Sequence, residues 1–295
     1  MHTPVLLKEV MEAFSPKVGG IYIDATVNGG GHTKEILKSI GSSGRVLGID
    51  RDASIIKKLE EETGKQEKRL VLQCENFSNI QAVANEKGFL EADGVLFDLG
   101  FSSYHIESSG RGFSFLRNEP LDMRFNPDEG GIRAADILNE WSEEEIKQIL
   151  REYGEERFAG SIAAAICETR TQSAFKDTDG LVSVIERAVP GWYRNGRLHP
   201  ATKTFQALRI RVNDEFAHIE KGIKGACNII KIGGRIAVIT FHSIEDRVVK
   251  KLFLALEKEG LGKRVNKKVI KPVYTEIRQN PRSRSAKLRI FERIV

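Results

Sequence analysis

Three carboxylates and a run of three glycines carry the most specific chemistry in this 295-residue sequence. Asp24, Asp50 and Asp98 stand at the ends of short apolar runs: Ile21 to Asp24 (IYID), Arg45 to Asp50 (RVLGID) and Asp93 to Leu99 (DGVLFDL). Each run reads as a buried strand. Gly29 to Gly31 follow the first run, and glycine lets the backbone approach a ligand closely. Ile36, Leu37 and Ile40 then recur at helical spacing, so the segment from Thr33 to Ile40 aims a helix N-terminus at the same place. A strand, a glycine turn and a helix make a nucleotide site. Asp50 lies 19 residues beyond Gly31, the spacing at which nucleotide-binding βαβ units set an acid against ribose hydroxyls.

The same glycines exclude other nucleotides. A dinucleotide fingerprint counted from Gly29 needs a third glycine where Lys34 stands, and the Lys-Ser/Thr pair of a P-loop is missing. An NAD-dependent oxidoreductase is disfavoured for that reason. What remains, an acid at a strand end followed by small residues, resembles the first motif of class I S-adenosylmethionine-dependent methyltransferases, although Thr26 and Asn28 occupy positions where those enzymes often have glycine. A strand over Arg69 to Cys74 comes next, and Phe77 after it could stack on an adenine or pack under the sheet.

The βα alternation stops after Asp98. From Ser102 to about Thr204 the pattern is helical: Ser142 and Glu145 form a capping box ahead of Ile146, Ile149, Leu150 and Tyr153. Further helices are marked by Phe158, Ile162 and Ile166, and by Leu181, Val182, Ile185 and Val189. The entrance to this insertion, Gly110 to Phe125, is irregular, aromatic and charged, with Arg111, Arg117, Asp122 and Arg124. It reads as a binding loop. The sequence predicts one long helical stretch from Thr204 to Ile232 ending at Gly233-Gly234, then a fifth strand from Arg235 to Phe241 that delivers His242. A further helix carries Val248, Val249, Leu252, Phe253 and Leu256, and two C-terminal strands are expected at Val269 to Thr275 and Lys287 to Ile294. Two strands after the last helix suit a methyltransferase sheet, which ends in an antiparallel strand.

Composition is that of a globular chain, with 40% hydrophobic and 29% charged residues. No signal peptide or membrane-length apolar run is visible, so a cytoplasmic protein without membrane association is expected. Cys74, Cys167 and Cys227 are scattered, which suggests neither a disulfide framework nor a zinc site. The net charge is +5, yet Leu261 to Val295 holds eleven Lys or Arg against two acids. Such a cluster favours phosphate backbones, with Arg282 and Arg284 at its centre.

The blocks GGGHT, GIDRD, DLGFSS, RGFSF, PLDMRF, YGEERFA, HPATKTFQALRIRVN, FHSIEDR and NPRSRSAKLR, in this order, span nearly the whole chain. Together they resemble the bacterial N4-methyltransferases of small-subunit ribosomal RNA, the MraW (RsmH) family. The resemblance implies an α/β class I S-adenosylmethionine-dependent methyltransferase fold of Rossmann-like type, with a methyltransferase domain at 1–104 and 205–295 and an inserted helical substrate-recognition domain at 105–204. It implies methylation of the exocyclic amine of a cytidine in the decoding region, with S-adenosylmethionine as the cofactor, no metal, and ribosomal RNA or the assembled small subunit as partner. Carried onto this chain, the cofactor contacts are Gly30, Gly31, His32, Asp50, Phe77 and Asp98, with His105 where the family usually has glutamine. Asp98 is the catalytic candidate, and Arg111, Asp122, Arg124, His242, Arg282 and Arg284 are the substrate-side candidates. A methyltransferase acting on another nucleic-acid amine and a non-catalytic ribosome-assembly factor are the competing readings. A homodimer stays open.

Overall fold

Strands buried on both faces have no polar side to display, and the near-continuous apolar runs of this sequence form such a sheet. The computed structural model describes residues 4–64, 67–99 and 109–295. Two compact units are distinguished, residues 1–101 with 216–295 and residues 102–215.

In the first unit β1 (Ile21–Asp24), β2 (Arg45–Asp50), β3 (Leu70–Cys74), β4 (Ala92–Asp98), β5 (Ile230–Thr240), β6 (Gly262–Arg264) and β7 (Lys287–Arg293) form a seven-stranded sheet in the order β3-β2-β1-β4-β5-β7-β6. The first five are parallel, and β7 runs antiparallel between β5 and β6. This is the class I methyltransferase sheet, with its reversed last hairpin. One face buries Ile23, Leu47, Val95, Phe97, Val238 and Phe291 beneath α4 (Ile80–Lys87), α11 (Glu215–Ile229) and α12 (Ser243–Lys258). Alternate residues of the same strands, Tyr22, Val46, Leu96, Ile239 and Leu288, face α1 (Leu7–Phe14) and α2 (Gly31–Ser39). Helix α3 (Ala53–Thr63) packs Ile55 and Leu59 on Val27.

The second unit is helical: α5 (Ala134–Glu140), α6 (Glu143–Glu152), α7 (Ala159–Arg170), α8 (Thr178–Ala188), the short α9 (Gly191–Arg194) and α10 (Thr202–Val212). Its core joins Ile146, Leu150, Ile162, Ile166, Leu181, Ile185, Phe205 and Leu208. The expected capping box opens α6: the Glu145 N–H donates to Ser142 Oγ, and the Ser142 N–H donates to Glu145 Oε2 at 2.8 Å.

Several expectations are corrected. The long helix expected from Thr204 is two, broken where Asp214 takes a left-handed φ of 45°. Helix α10 contributes Phe205 and Leu208 to the core of the inserted unit, which therefore runs to Glu215 rather than to residue 204. Gly233-Gly234 do not end a helix; α11 stops at Ile229, and the glycines lie in the irregular start of β5, where its register against β4 shifts. No strand forms over Val269 to Thr275, because Pro272 cannot donate to a ladder; that segment makes one isolated bridge, Ile270 to Leu288, and enters α13 (Tyr274–Gln279). The sheet is completed instead by the three residues of β6. Among the described residues no helix is long and apolar enough to cross a membrane.

Asp24 ends β1 fully buried, accepting the Thr33 hydroxyl at 2.6 Å and the Thr26 N–H at 3.3 Å. Burial pushes its pKa up to about 7, against the pull of the Thr33 and Thr26 hydrogen bonds, and the neighbouring Asp50 charge adds to the rise. A carboxyl whose folded pKa exceeds its unfolded value contributes stability that is complete below about pH 4 and is lost as pH rises through about 7. Over that window the loss is of order 4 kcal/mol. Melting curves of the wild type and Asp24→Asn from pH 4 to pH 8 are expected to diverge, the wild type losing ground as pH rises to about 7 and holding a constant gap above it. Parallel curves would show that Asp24 stays ionised.

Candidate active site

The turn between β1 and α2 is stitched to the neighbouring strand ends. Asn28 takes a left-handed φ of 50°, which asparagine tolerates better than most residues. Its backbone N–H donates to Asp50 Oδ2 at 2.9 Å, and its side-chain amide donates to the Asp98 carbonyl at 3.2 Å. Thr26 adds a third tie, its hydroxyl accepting the Asp98 N–H at 2.5 Å. The two residues that depart from the usual glycine pattern thus lock the ends of β2 and β4 to the turn. Nothing in the sequence pattern alone pointed to that role; only the asparagine's tolerance of left-handed backbone was available as a signal.

Gly30 is also left-handed, at φ 72°, so a side chain there is strained whatever the space. The positions where Gly30 and Gly31 lack a Cβ face Leu59 and the Pro4 ring, at 2.6 and 2.9 Å, so close packing within the chain requires these two glycines. His32 follows in the first turn of α2, 5% exposed. Its Nε2 lies 3.0 Å from the Val5 carbonyl. A carbonyl can only accept, so Nε2 carries a proton. Nδ1 is turned toward Asp98, 3.9 Å from Oδ2.

Asp50 is 9% exposed and accepts the N–H groups of Asn28 and Asp52, the latter at 3.0 Å. Two backbone amides hold the carboxylate at the strand end, and its oxygens retain acceptor capacity. An acid reserved for a ligand could be removed without loss of stability; this one cannot, because its removal strands two donors. Asp98 is 4% exposed at the end of β4, and its register partner in β5 is Ile239. Along the carboxyl edge of the strand order β2-β1-β4-β5 the chain therefore presents Asp50, Asp24, Asp98 and, just past β5, His242. Ligands of open α/β sheets bind at that edge.

His242 is the N-cap of α12. Its Nδ1 accepts the Glu245 N–H at 3.3 Å, while Glu245 Oε2 accepts the Phe241 N–H at 2.8 Å in return. The neutral ring then carries its proton on Nε2, which is 2.9 Å from Glu245 Oε1 but not aligned with it as a hydrogen bond. Phe77 is half-buried, edge-on to Phe97 with centroids 5.6 Å apart, and seated against Gly222. It packs against the core beside the sheet, with part of its ring left accessible. His105 and Gly100 lie outside the described residues.

The inserted unit uses most of its expected substrate residues internally. Arg124 forms a two-pronged ion pair with Asp122, Nε to Oδ1 at 2.8 Å and Nη2 to Oδ2 at 2.6 Å. Burial pushes the Asp122 pKa up, but the Arg124 guanidinium outweighs it and holds the carboxyl below its ordinary value. Arg111 donates to the carbonyls of Arg124 and Phe125. Gly112 has φ 76° and no room for a Cβ, which would lie 2.3 Å from the Pro120 carbonyl oxygen. Asn213, missed in the sequence, is 4% exposed; it donates to the Met123 carbonyl at 2.8 Å and accepts the Phe125 N–H at 2.9 Å. The loop carrying Arg111, Asp122 and Arg124 is therefore a fixed structure rather than a floppy arm.

In the C-terminal segment Arg282 and Arg284 are exposed in the turn Pro281–Ser285. Arg289, one of the eleven cations counted in this segment, is instead buried against Asp246 through two hydrogen bonds of 2.7 and 3.1 Å, with Lys287 3.7 Å from the same acid. The partner sits 43 residues away in α12, beyond the reach of local pattern.

The model of the MraW methylase family matches residues 1–294 of the chain. Two proteins named ribosomal RNA small subunit methyltransferase H are similar over nearly their whole lengths. The one from Dictyoglomus thermophilum is 46% identical, covering 99% of this chain and 97% of the relative. That from Symbiobacterium thermophilum is 43% identical, covering 98% and 95%. A third, from Clostridium botulinum, is 41% identical over 99% of both chains. With a family match from end to end, a class I sheet and three acids at the carboxyl ends of adjacent parallel strands, the chain belongs to the MraW methylase family.

Proposed function

We propose that this chain methylates the exocyclic N4 amine of a cytidine in the decoding region of small-subunit ribosomal RNA, using S-adenosylmethionine. The observation that carries the reading is the family match over residues 1–294 together with relatives named for the small-subunit RNA. That substrate puts its work in the cytoplasm, on free RNA or on the assembled subunit.

The donor set at the carboxyl edge fits the cofactor. An adenosine ribose offers two hydroxyl donors and a methionine tail offers an ammonium, and both need acceptors. Asp50, held in place by two backbone amides, and Asp98, beside His32, supply them. Asp50 would take the ribose, Asp98 the ammonium or the target amine, and the turn through Gly30 and Gly31 would bring backbone alongside. When bound, S-adenosylmethionine supplies an electrophilic sulfonium methyl group.

The chain's own contribution is positioning. The lone pair of a cytosine amine is delocalised into the ring, so an acceptor for an amine N–H helps return density to nitrogen and fixes its approach. Asp98 and the Leu99 carbonyl at the end of β4 are the acceptors available there, and the amine gives up one proton, through Asp98 or to water. The Nε2–H of His242, with no aligned hydrogen-bond acceptor among the described residues, is a donor suited to a base oxygen or ring nitrogen. Arg282 and Arg284 would meet phosphates from the exposed turn ahead of β7.

The direct test is methyl transfer from labelled S-adenosylmethionine to small subunits, followed by nucleoside analysis. N4-methylcytidine is expected; label on a different nucleoside, or none, would reject the reading. Asp50→Asn should lower S-adenosylmethionine affinity at least tenfold, since charge-assisted hydrogen bonds are worth about 1.5–3 kcal/mol each, and should also lower stability because an amide replaces one of the two carboxylate acceptors. Wild-type affinity by calorimetric titration would remove the ribose role. Asp98→Asn keeps the shape and removes the charge, so turnover should fall at least a hundredfold while the Asp98 backbone ties to Thr26 and Asn28 keep the melting temperature close to wild type. Wild-type turnover would exclude both of its roles.

A further inference from the structure

We infer that Trp192, with Arg157 beside it and Arg194 and Arg197 two and five residues along the chain, is a stacking platform on the inserted unit for an unpaired base of the RNA substrate. The inference rests on the RNA reading above and adds a site to it.

Trp192 leaves 61% of its surface exposed, which is unusual for the largest apolar side chain. It is not loosely held. Phe158 and Tyr193 approach the indole at centroid distances of 5.7 and 5.8 Å, both nearly edge-on. The Tyr193 hydroxyl donates to Glu156 Oε2 at 2.8 Å, and Glu156 Oε1, in a side chain buried with its residue at 3% exposure, accepts the Phe158 N–H at 2.8 Å. One buried carboxylate thus fixes the aromatic base on which the indole sits. Pro190 terminates α8 and sets the direction of the short α9 that carries Trp192. The arrangement is a rigid ring presented to solvent.

The surroundings are cationic. The Arg157 guanidinium lies 5.3 Å from the indole centroid and 5.8 Å from that of Phe158. Between Arg187 and Lys203 there are three arginines, one lysine and no acid. Arg157, Arg194 and Arg197 are exposed and form no ion pair among the described residues. Of the acids nearby, Glu156 is buried and held by the Tyr193 hydroxyl. An exposed aromatic face flanked by unneutralised arginines matches a base and its phosphates, since every base has a π-face and every linkage an anion. An apolar protein partner would need a wider hydrophobic surround and fewer cations. Single-stranded RNA is the occupant that satisfies both the ring and the charge.

The sequence contains two tryptophans, so Trp141→Phe leaves Trp192 as its one tryptophan fluorophore. Titration of that variant with a single-stranded oligoribonucleotide of the decoding region should quench its emission as the base stacks. In the otherwise native chain, Trp192→Ala should weaken oligonucleotide binding about tenfold and raise KM for small subunits, while Trp192→Phe keeps most of the affinity. Neither should alter kcat, S-adenosylmethionine affinity or melting temperature. The pair Arg194→Ala and Arg197→Ala should flatten the salt dependence of binding by about 1.4 units, roughly 0.7 for each single-strand phosphate contact. Absent quenching with wild-type affinity in Trp192→Ala would overturn the inference, as would a loss confined to assembled subunits, which would mean a ribosomal protein touches the indole. Methyl transfer by the wild type reads the parent proposal separately. Quenching without transfer keeps the platform and removes the enzyme reading; transfer without quenching does the reverse.

Discussion

The hydrogen bonds of Asn28 hold the site together. One residue in a left-handed conformation reaches the Asp50 carboxylate with its backbone and the Asp98 carbonyl with its side chain, while Thr26 takes the Asp98 N–H. Parallel strands bring their carboxyl ends to one edge, but side by side is not the same as aligned. Strand ends are the least restrained part of a sheet, since the ladder stops there. The turn supplies the missing restraint across β2, β1 and β4, and Asp24, buried beneath it on Thr33, fixes the start of the turn itself.

The inserted unit follows the same logic with different residues. Asn213 at the end of α10 binds the backbone of Met123 and Phe125, Arg111 binds carbonyls of the same loop, and Asp122 and Arg124 neutralise one another. Charges that look like substrate contacts in a linear sequence are therefore largely internal. Among what is left for an anionic partner are Arg157, beside Trp192, and the exposed Arg194 and Arg197 that follow it in the chain. A rigid loop and an exposed cationic rim are complementary: the first keeps its shape whether or not RNA is present, and the second supplies the attraction.

Much of this was legible from sequence because two-face burial and capping are local signals. The apolar runs ending at Asp24, Asp50 and Asp98 could be nothing but central strands, and Ser142 with Glu145 announced α6. The misses share one cause, dependence on residues far away. Arg289 reads as a surface cation until Asp246 of α12 is brought beside it. The three residues of β6 carry no period of their own and become a strand only because β7 is there to pair with. The break between α10 and α11 rests on one left-handed residue, Asp214, in a stretch whose apolar spacing runs on through it. The packing of Phe77, one of the two readings it offered, also rests on a distant residue, Gly222, a glycine 145 positions along the chain whose missing side chain makes the space.

If the Asn28 ties align the acids for the cofactor, removing one of them should be felt at the cofactor. Asn28→Gly retains the left-handed backbone and the N–H to Asp50 and deletes only the amide bond to the Asp98 carbonyl. Calorimetric titration of this variant with S-adenosylmethionine should show affinity about fivefold weaker, the worth of one net hydrogen bond near 1 kcal/mol. Wild-type affinity in a variant that melts at a lower temperature would contradict the account, because the tie would then serve the fold and not the site.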